Sequence, residues 1–185
     1  FTEGMGRESL SVATHLLGQT QNLIVASGIA VAYSREPIAA ANAARALNEL
    51  FPGRFVLGLG VSNAASNERR GVRYERPVVF MREYLARMRA APYMAPTPRE
   101  DPPVVLGSLL PRMIHLAAAE TAGVLTYLTP PEKTRQVRAA IGPDKWLGAE
   151  QAVLLEPDPA RARAAAREYM GYYLRIPHYT RMLGA

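Results

Sequence analysis

Cysteine is absent from this chain of 185 residues, which excludes disulfides and thiolate metal sites. Long apolar runs are absent too. No stretch approaches the roughly 18 to 20 consecutive apolar residues of a membrane helix, and no basic-then-apolar leader opens the chain. We therefore read a cytoplasmic protein with no membrane contact. Histidine is scarce, and His15, His115 and His178 lie too far apart to match the spacing of a metal site. There is neither a G-x-S-x-G elbow nor a Walker loop. A dense basic block is also missing, although the net charge is +6 and the pI near 9.9. The arginines fall into helical patterns, Arg82, Arg87 and Arg89 or Arg161, Arg163 and Arg167, and read as solvated helix faces, not as a nucleic-acid surface. Such a field also favours a polyanionic small molecule. What is present, 49% hydrophobic and 21% charged residues, is the composition of an ordinary globular domain long enough to bury a core.

Helical and strand-like patterns alternate along the chain. Residues 7–19 carry a helical stripe of Leu10, Ala13, Leu16 and Leu17, and residues 23–31 follow as an apolar strand. Pro37 opens a helix through Leu50 with Ile38, Ala41, Ala44 and Leu47 on one face. A strand at 54–61 comes next, then a helix from Pro77 with Met81, Tyr84, Leu85 and Met88. Five prolines between Ala91 and Pro103 mark a linker. Beyond it the pattern predicts a strand at 104–106, a helix at 111–122 stopped by Gly123, and a strand at 124–128. Thr129 and Glu132 have capping-box spacing ahead of a helix at 131–141, with Gly142 beyond its end. A strand at 149–155 and a helix begun by Asp158, with Ala162, Ala165, Ala166, Tyr169 and Tyr173 on one face, complete the pattern. About five strands alternating with six helices imply βαβ units and a parallel sheet.

Two segments look ready for a ligand. Phe55 to Val61 is the continuous apolar run of a strand covered on both faces, and Gly58 and Gly60 suggest close approach to its backbone. Ser62 and Asn63 bring hydrogen-bonding groups to its carboxyl end, where α/β enzymes place ligands. Taken alone, the segment equally suits a core strand with glycines for packing. The turn Gly107-Ser108-Leu109-Leu110-Pro111 ends a strand and starts a helix, so free N–H groups and the positive end of the helix dipole meet there, as a phosphate requires, although taken alone the turn reads as a plain helix start.

Three stretches together, residues 22–37, residues 52–60 and residues 104–123, resemble the bacterial luciferase-like monooxygenase superfamily in order and spacing. Within it they are most similar to the branch of oxidoreductases that use the deazaflavin coenzyme F420. The resemblance implies an α/β fold of the (β/α)8 TIM-barrel type, here partial. A full barrel needs about 250 residues, so the chain is expected to be a single barrel domain, 1–185, lacking the first one or two strands and the last. It further implies hydride transfer between coenzyme F420 and an organic small molecule, in a homodimer. An FMN-dependent monooxygenase of the same fold is the nearest alternative, and a truncated noncatalytic relative serving as a partner subunit is another.

On the same resemblance, Gly28-Ile29 matches a non-proline cis peptide behind the middle ring of the cofactor, an ordinary trans strand being the alternative. Gly60, Val61, Ser62 and Asn63 are expected to line the ring, and Gly107, Ser108, Leu109 and Leu110 to hold the phosphate. Relatives often carry glycine at Leu110, where a left-handed turn would be costlier for leucine. Ser108→Asp is expected to weaken cofactor binding and leave the fold intact. No catalytic acid or base emerges. Tyr33, Arg35, Glu68 and Tyr74 lie in loops where exposed polarity is the default reading, and in this superfamily the cofactor carries the hydride chemistry.

Overall fold

A computed structural model of the chain describes residues 2–3, 6–96, 98 and 100–184. Its strands are β1 (Val25–Ala26), β2 (Ala30–Val31), β3 (Phe55–Gly60), β4 (Val104–Gly107), β5 (Gly123–Tyr127) and β6 (Trp146–Glu150). Its helices are α1 (Ser9–Gly18), α2 (Pro37–Leu50), α3 (Ala64–Glu68), α4 (Pro77–Arg89), α5 (Pro111–Glu120), α6 (Pro131–Ile141), α7 (Pro159–Tyr173) and α8 (Pro177–Leu183). The sheet runs β1-β3-β4-β5-β6 with β2 also on β3, and every pairing is parallel. Because β1 and β2 are two pieces of one interrupted strand, the architecture is a five-stranded parallel half-barrel with helices on its outer side. It curls enough that a Cβ at Gly58 of β3 would come within 2.9 Å of the Leu125 side chain on β5, two strands away.

Alternation along the strands sets the two faces. Leu57, Leu59, Leu106 and Val124 point outward into a core shared with Leu17, Ala44, Leu47, Met81, Leu85, Leu116, Ala117, Val137 and Ile141 from the helices. Gly58, Gly60, Gly107, Leu125 and Gly148 lie on the inner face. Two glycines are fixed by backbone contact, since a Cβ at Gly58 would collide with the Ser27 carbonyl and one at Gly123 with the Trp146 carbonyl.

Proline at the first helical position opens α2, α4, α5, α6, α7 and α8, the position where its missing N–H is harmless. Carboxylates cap three helices: Glu8 accepts from Leu10 and Ser11, Glu36 from Ala39, and Asp158 from Ala160 and Arg161. Burial acts to raise the Glu8 carboxyl. The N–H groups of Leu10 and Ser11, the Ser11 hydroxyl and Arg35 at 2.8 Å outweigh it and hold the carboxyl at about 2. A depressed native value gives stability that is complete above the ordinary 4.5 and is lost as pH falls toward 2. Glu8→Gln is therefore expected to flatten the pH dependence of unfolding between those values, as measured by urea titrations at a series of pH.

Several local expectations give way. Residues 151–155 do not extend β6, because its partner β5 ends at Tyr127 and Leu128 turns away at φ 55°, so Val153 and Leu155 are left exposed. Thr129 does not cap α6. Pro130 is the cap, and the Thr129 hydroxyl donates to Thr126 instead. Gly123 is no helix stop: α5 ends at Glu120, and Gly123 begins β5. Gly142, by contrast, does end α6, at φ 78°. Ile38 is exposed, with Ala40 buried in its place. Helix α7 buries none of its residues. Helices α3 and α8 have five and seven residues, too short for a periodic stripe to announce them. The linker carries no helix or strand among its described residues, with Thr97 and Arg99 outside them, and Asn48 holds the Glu100 carbonyl. No helix among the described residues is long and apolar enough to cross a membrane.

Candidate functional site

The strand interruption is a β-bulge by register. Val25 and Ala26 pair with Phe55 and Val56, and Ala30 and Val31 with Leu59 and Gly60, so four steps on one strand face three on the other. Ser27 bridges the gap: its hydroxyl donates to the Gly58 carbonyl at 2.9 Å and accepts from the Gly58 N–H at 3.0 Å. The Gly28–Ile29 peptide within the bulge is cis. The Ile29 side chain lies across two neighbouring strands. A Cβ at Gly60 would lie 2.5 Å from its Cγ1, and one at Gly107 would lie 2.8 Å from its Cγ2. The close approaches that the glycines permit are thus made by the chain's own bulge, and Ile29 becomes the inner-face side chain seated between the ends of β3 and β4.

Beyond Gly60 the chain turns through Val61, Ser62 and Asn63, all half-buried. Ser62 is left-handed at φ 57°, and the Asn63 side chain caps α3 by accepting from the Ser66 N–H at 2.9 Å. Asn67, fully buried, fixes this loop by donating its amide to the Val61 and Asn63 carbonyls, both at 2.9 Å, while its Oδ1 has no partner. Asn67→Ala is expected to lower stability by about 1–3 kcal/mol through the two abandoned carbonyls, measured by urea unfolding.

The β4–α5 turn is more constrained than its sequence suggests. Ser108 is 3% exposed; its N–H donates to the Leu125 carbonyl at 2.9 Å and its hydroxyl to the Leu106 carbonyl at 3.3 Å. Ser108→Asp would consequently bury a charge, so it does not separate binding from folding as the sequence suggests. Leu110 is the α5 cap in an extended conformation, φ −115° and ψ 148°, so no glycine is required there. It has no side-chain cap bond. Among the described residues, the N–H groups of Leu109, Leu110 and Arg112 have no acceptor, which leaves donors for an anion at the head of a ten-residue helix.

The structure therefore brings Ile29, Gly60 and Gly107 into one contact group, with Gly28 joined to it through the peptide to Ile29, and with Val61 to Asn63 and Leu109 to Leu110 leaving the same carboxyl ends of the strands. It turns Ser108 inward. Arg35 is committed to Glu3 at 2.6 Å and to Glu8. The Tyr33 ring stacks on Phe80 at 3.8 Å beside Tyr74, and burial raises both tyrosine hydroxyls. His15 and His115 are exposed on helices. No group of three potential metal ligands occurs among the described residues. Sequence reasoning missed Asn67, and it missed the grouping of Tyr127 with Tyr169, Tyr173 and Tyr179. Asn67 carries no signal in a polar stretch. The tyrosines at 169 and 173 share a helix face, but that face reads as core.

Comparison with known proteins gives the same fold. The chain is 25% identical over 187 residues to a 5,10-methylenetetrahydromethanopterin reductase of Methanolobus tindarius, an alignment covering 87% of this chain and 57% of the reductase. Among solved structures, an F420-dependent secondary alcohol dehydrogenase in complex with an F420-acetone adduct superposes with TM-score 0.72 at 16% identity, over 87% of this chain and 59% of that one. A monooxygenase of Streptomyces bottropensis superposes with TM-score 0.71 at 15% identity, over 98% of this chain and 67% of the other. The chain thus spans little more than half the length of the reductase it matches. Residues 1–182 match the luciferase-like monooxygenase family, and this chain, with its bulged half-barrel, belongs to that family.

Proposed function

We propose that the carboxyl ends of β2, β3 and β4 form the ring and phosphate site of an oxidoreductase that transfers hydride between coenzyme F420 and an organic small molecule. The observation that carries this reading is that the bulge, the two glycine-bearing strand ends and the free N–H groups of α5 all lie at the carboxyl end of the sheet. The F420-dependent alcohol dehydrogenase among its structural relatives supports the choice of cofactor.

The residues present fit such a group. Ile29, backed by Gly60 and Gly107, offers an apolar surface for a flat ring, and the half-buried Val61, Ser62 and Asn63 flank it with short side chains and backbone polar groups. Leu109, Leu110 and Arg112 supply backbone N–H donors for a phosphate. Asn67 holds the flanking loop in place. When bound, the deazaflavin supplies hydride donor and acceptor chemistry, and the chain binds, orients and shields it. The family description as monooxygenases favours FMN as a second reading, with the same ring and phosphate groups used alike.

Parallel titrations of the chain with F420 and FMN, followed by ring fluorescence, test the proposal. Saturable binding of F420 in preference to FMN is expected, and the reverse preference would favour the monooxygenase. Binding of neither would remove both readings and leave the noncatalytic relative.

A further inference from the structure

We infer that the tyrosines gathered at the carboxyl end of β5 form a substrate wall for a neutral, flat molecule with a carbonyl or phenol oxygen, that oxygen accepting a hydrogen bond from the Tyr169 or Tyr173 hydroxyl that Tyr127 holds in place. The inference deepens the oxidoreductase reading, on which it rests for calling the ligand a substrate.

Tyr127 is the last residue of β5 and follows Leu125 on the inner face, paired in register with Glu150 of β6. Its hydroxyl bonds to that of Tyr169 and donates to that of Tyr173 at 3.1 Å, and the Tyr169 and Tyr173 hydroxyls are themselves 3.4 Å apart. The Tyr179 ring stands edge-on to Tyr173, with centroids 5.1 Å apart, and edge-on to Tyr127 at 6.3 Å. Strand β5, helix α7 and helix α8 thus meet through aromatic rings and hydroxyls, at the end of the sheet where the ring site also lies.

This cluster does not belong to the core. Helix α7 buries no residue, and Tyr169 and Tyr172 remain 43% and 55% exposed. An open hollow of about 470 Å³ lies against Ala165, Glu168, Tyr169, Tyr172 and Tyr173. Exposed ring faces and edges at such spacing suit another flat π system. Each phenol has one proton to donate and can also accept. Tyr127 donates its proton to Tyr173, so opening the longest contact, 3.4 Å between Tyr169 and Tyr173, turns a proton from that pair toward an incoming oxygen while both hydroxyls keep their bond to Tyr127.

Charge sets the selectivity. The charged side chain lining the hollow is Glu168, and Glu150 lies close to Tyr179, so a carboxylate ligand meets repulsion while a neutral ketone does not. Burial also pushes the Tyr127 and Tyr179 hydroxyls upward, which keeps them protonated donors at neutral pH. The anion-binding features of α5 lie on a separate turn, so cofactor phosphate and substrate oxygen are sorted to different sites.

The test uses the chain labelled with 3-fluorotyrosine and followed by fluorine NMR during titration with acetophenone, a neutral aromatic ketone, and with benzoate, its anionic counterpart. Resonances are assigned with Tyr127→Phe and Tyr169→Phe, the second variant covering the case that the first does not fold. Acetophenone is expected to shift the Tyr127, Tyr169 and Tyr173 resonances saturably, with benzoate at least about tenfold weaker. Tyr127→Phe, or Tyr169→Phe if the first is lost, is expected to weaken acetophenone binding about fivefold, whereas Tyr93→Phe leaves it unchanged. Equal binding of benzoate, no effect of the cluster variants, or shifts confined to other tyrosines would overturn the inference. Cofactor titration run in parallel separates the two ideas. Ketone binding without cofactor binding removes the oxidoreductase reading alone, and cofactor binding with unmoved cluster resonances removes the substrate wall alone.

Discussion

Gly58→Ala is expected to destabilise the chain by about 3 kcal/mol or more, at or above the top of the usual range for overpacking. The new methyl would collide with the Ser27 backbone carbonyl and press on Leu125 at 2.9 Å, and a backbone atom in the bulge has no rotamer into which to retreat. Ser27 and Gly58 also exchange two hydrogen bonds through the serine hydroxyl, so any separation of the strands loosens those as well. Gly171→Ala is the matched control. Nothing lies within 4 Å of a Cβ there, inside α7, and the substitution is expected to stabilise by about 0.5–1 kcal/mol. Urea unfolding of both variants measures the contrast, and similar effects of the two would contradict the packing described for the bulge.

Leu110→Asp is expected to move stability and cofactor affinity in opposite directions. Leu110 is an extended cap without a side-chain hydrogen bond, so aspartate there supplies an acceptor for the first turn of α5 and a favourable charge near the dipole, worth about 1 kcal/mol. The same carboxylate occupies the N–H groups proposed for the phosphate and repels it, at a cost of at least tenfold in affinity, about 1.4 kcal/mol. Thermal unfolding and cofactor titration of one sample read both effects. A stabilised variant with unchanged affinity would move the phosphate away from α5.

Where apolar period and terminators agree, the sequence is legible. Pro37 to Leu50 and Pro131 to Ile141 form helices over the limits their prolines and following residues mark, and the apolar run at 55–60 is a strand buried along its whole length. Legibility fails where a neighbour decides. Residues 151–155 have strand character, but β5 stops one step earlier and offers no partner. Gly123 reads as a helix stop because its true cause, the Trp146 carbonyl from 23 positions onward, is invisible in a local window. The site shows the same division. Gly28, Ile29, Gly60 and Gly107 are identifiable through family resemblance, yet that Ile29 fills the space above both glycines follows only from the register shift between β1 and β2. Ser108 looks like a donor in a turn and proves to be spent on Leu125 and Leu106.

Fluorescence titration of the chain with F420, alongside Leu110→Asp, decides whether the strand ends and the head of α5 hold the cofactor. Saturable binding with a Kd below about 100 μM, weakened at least tenfold by the variant, is expected. An absence of F420 binding by a folded chain would contradict that placement.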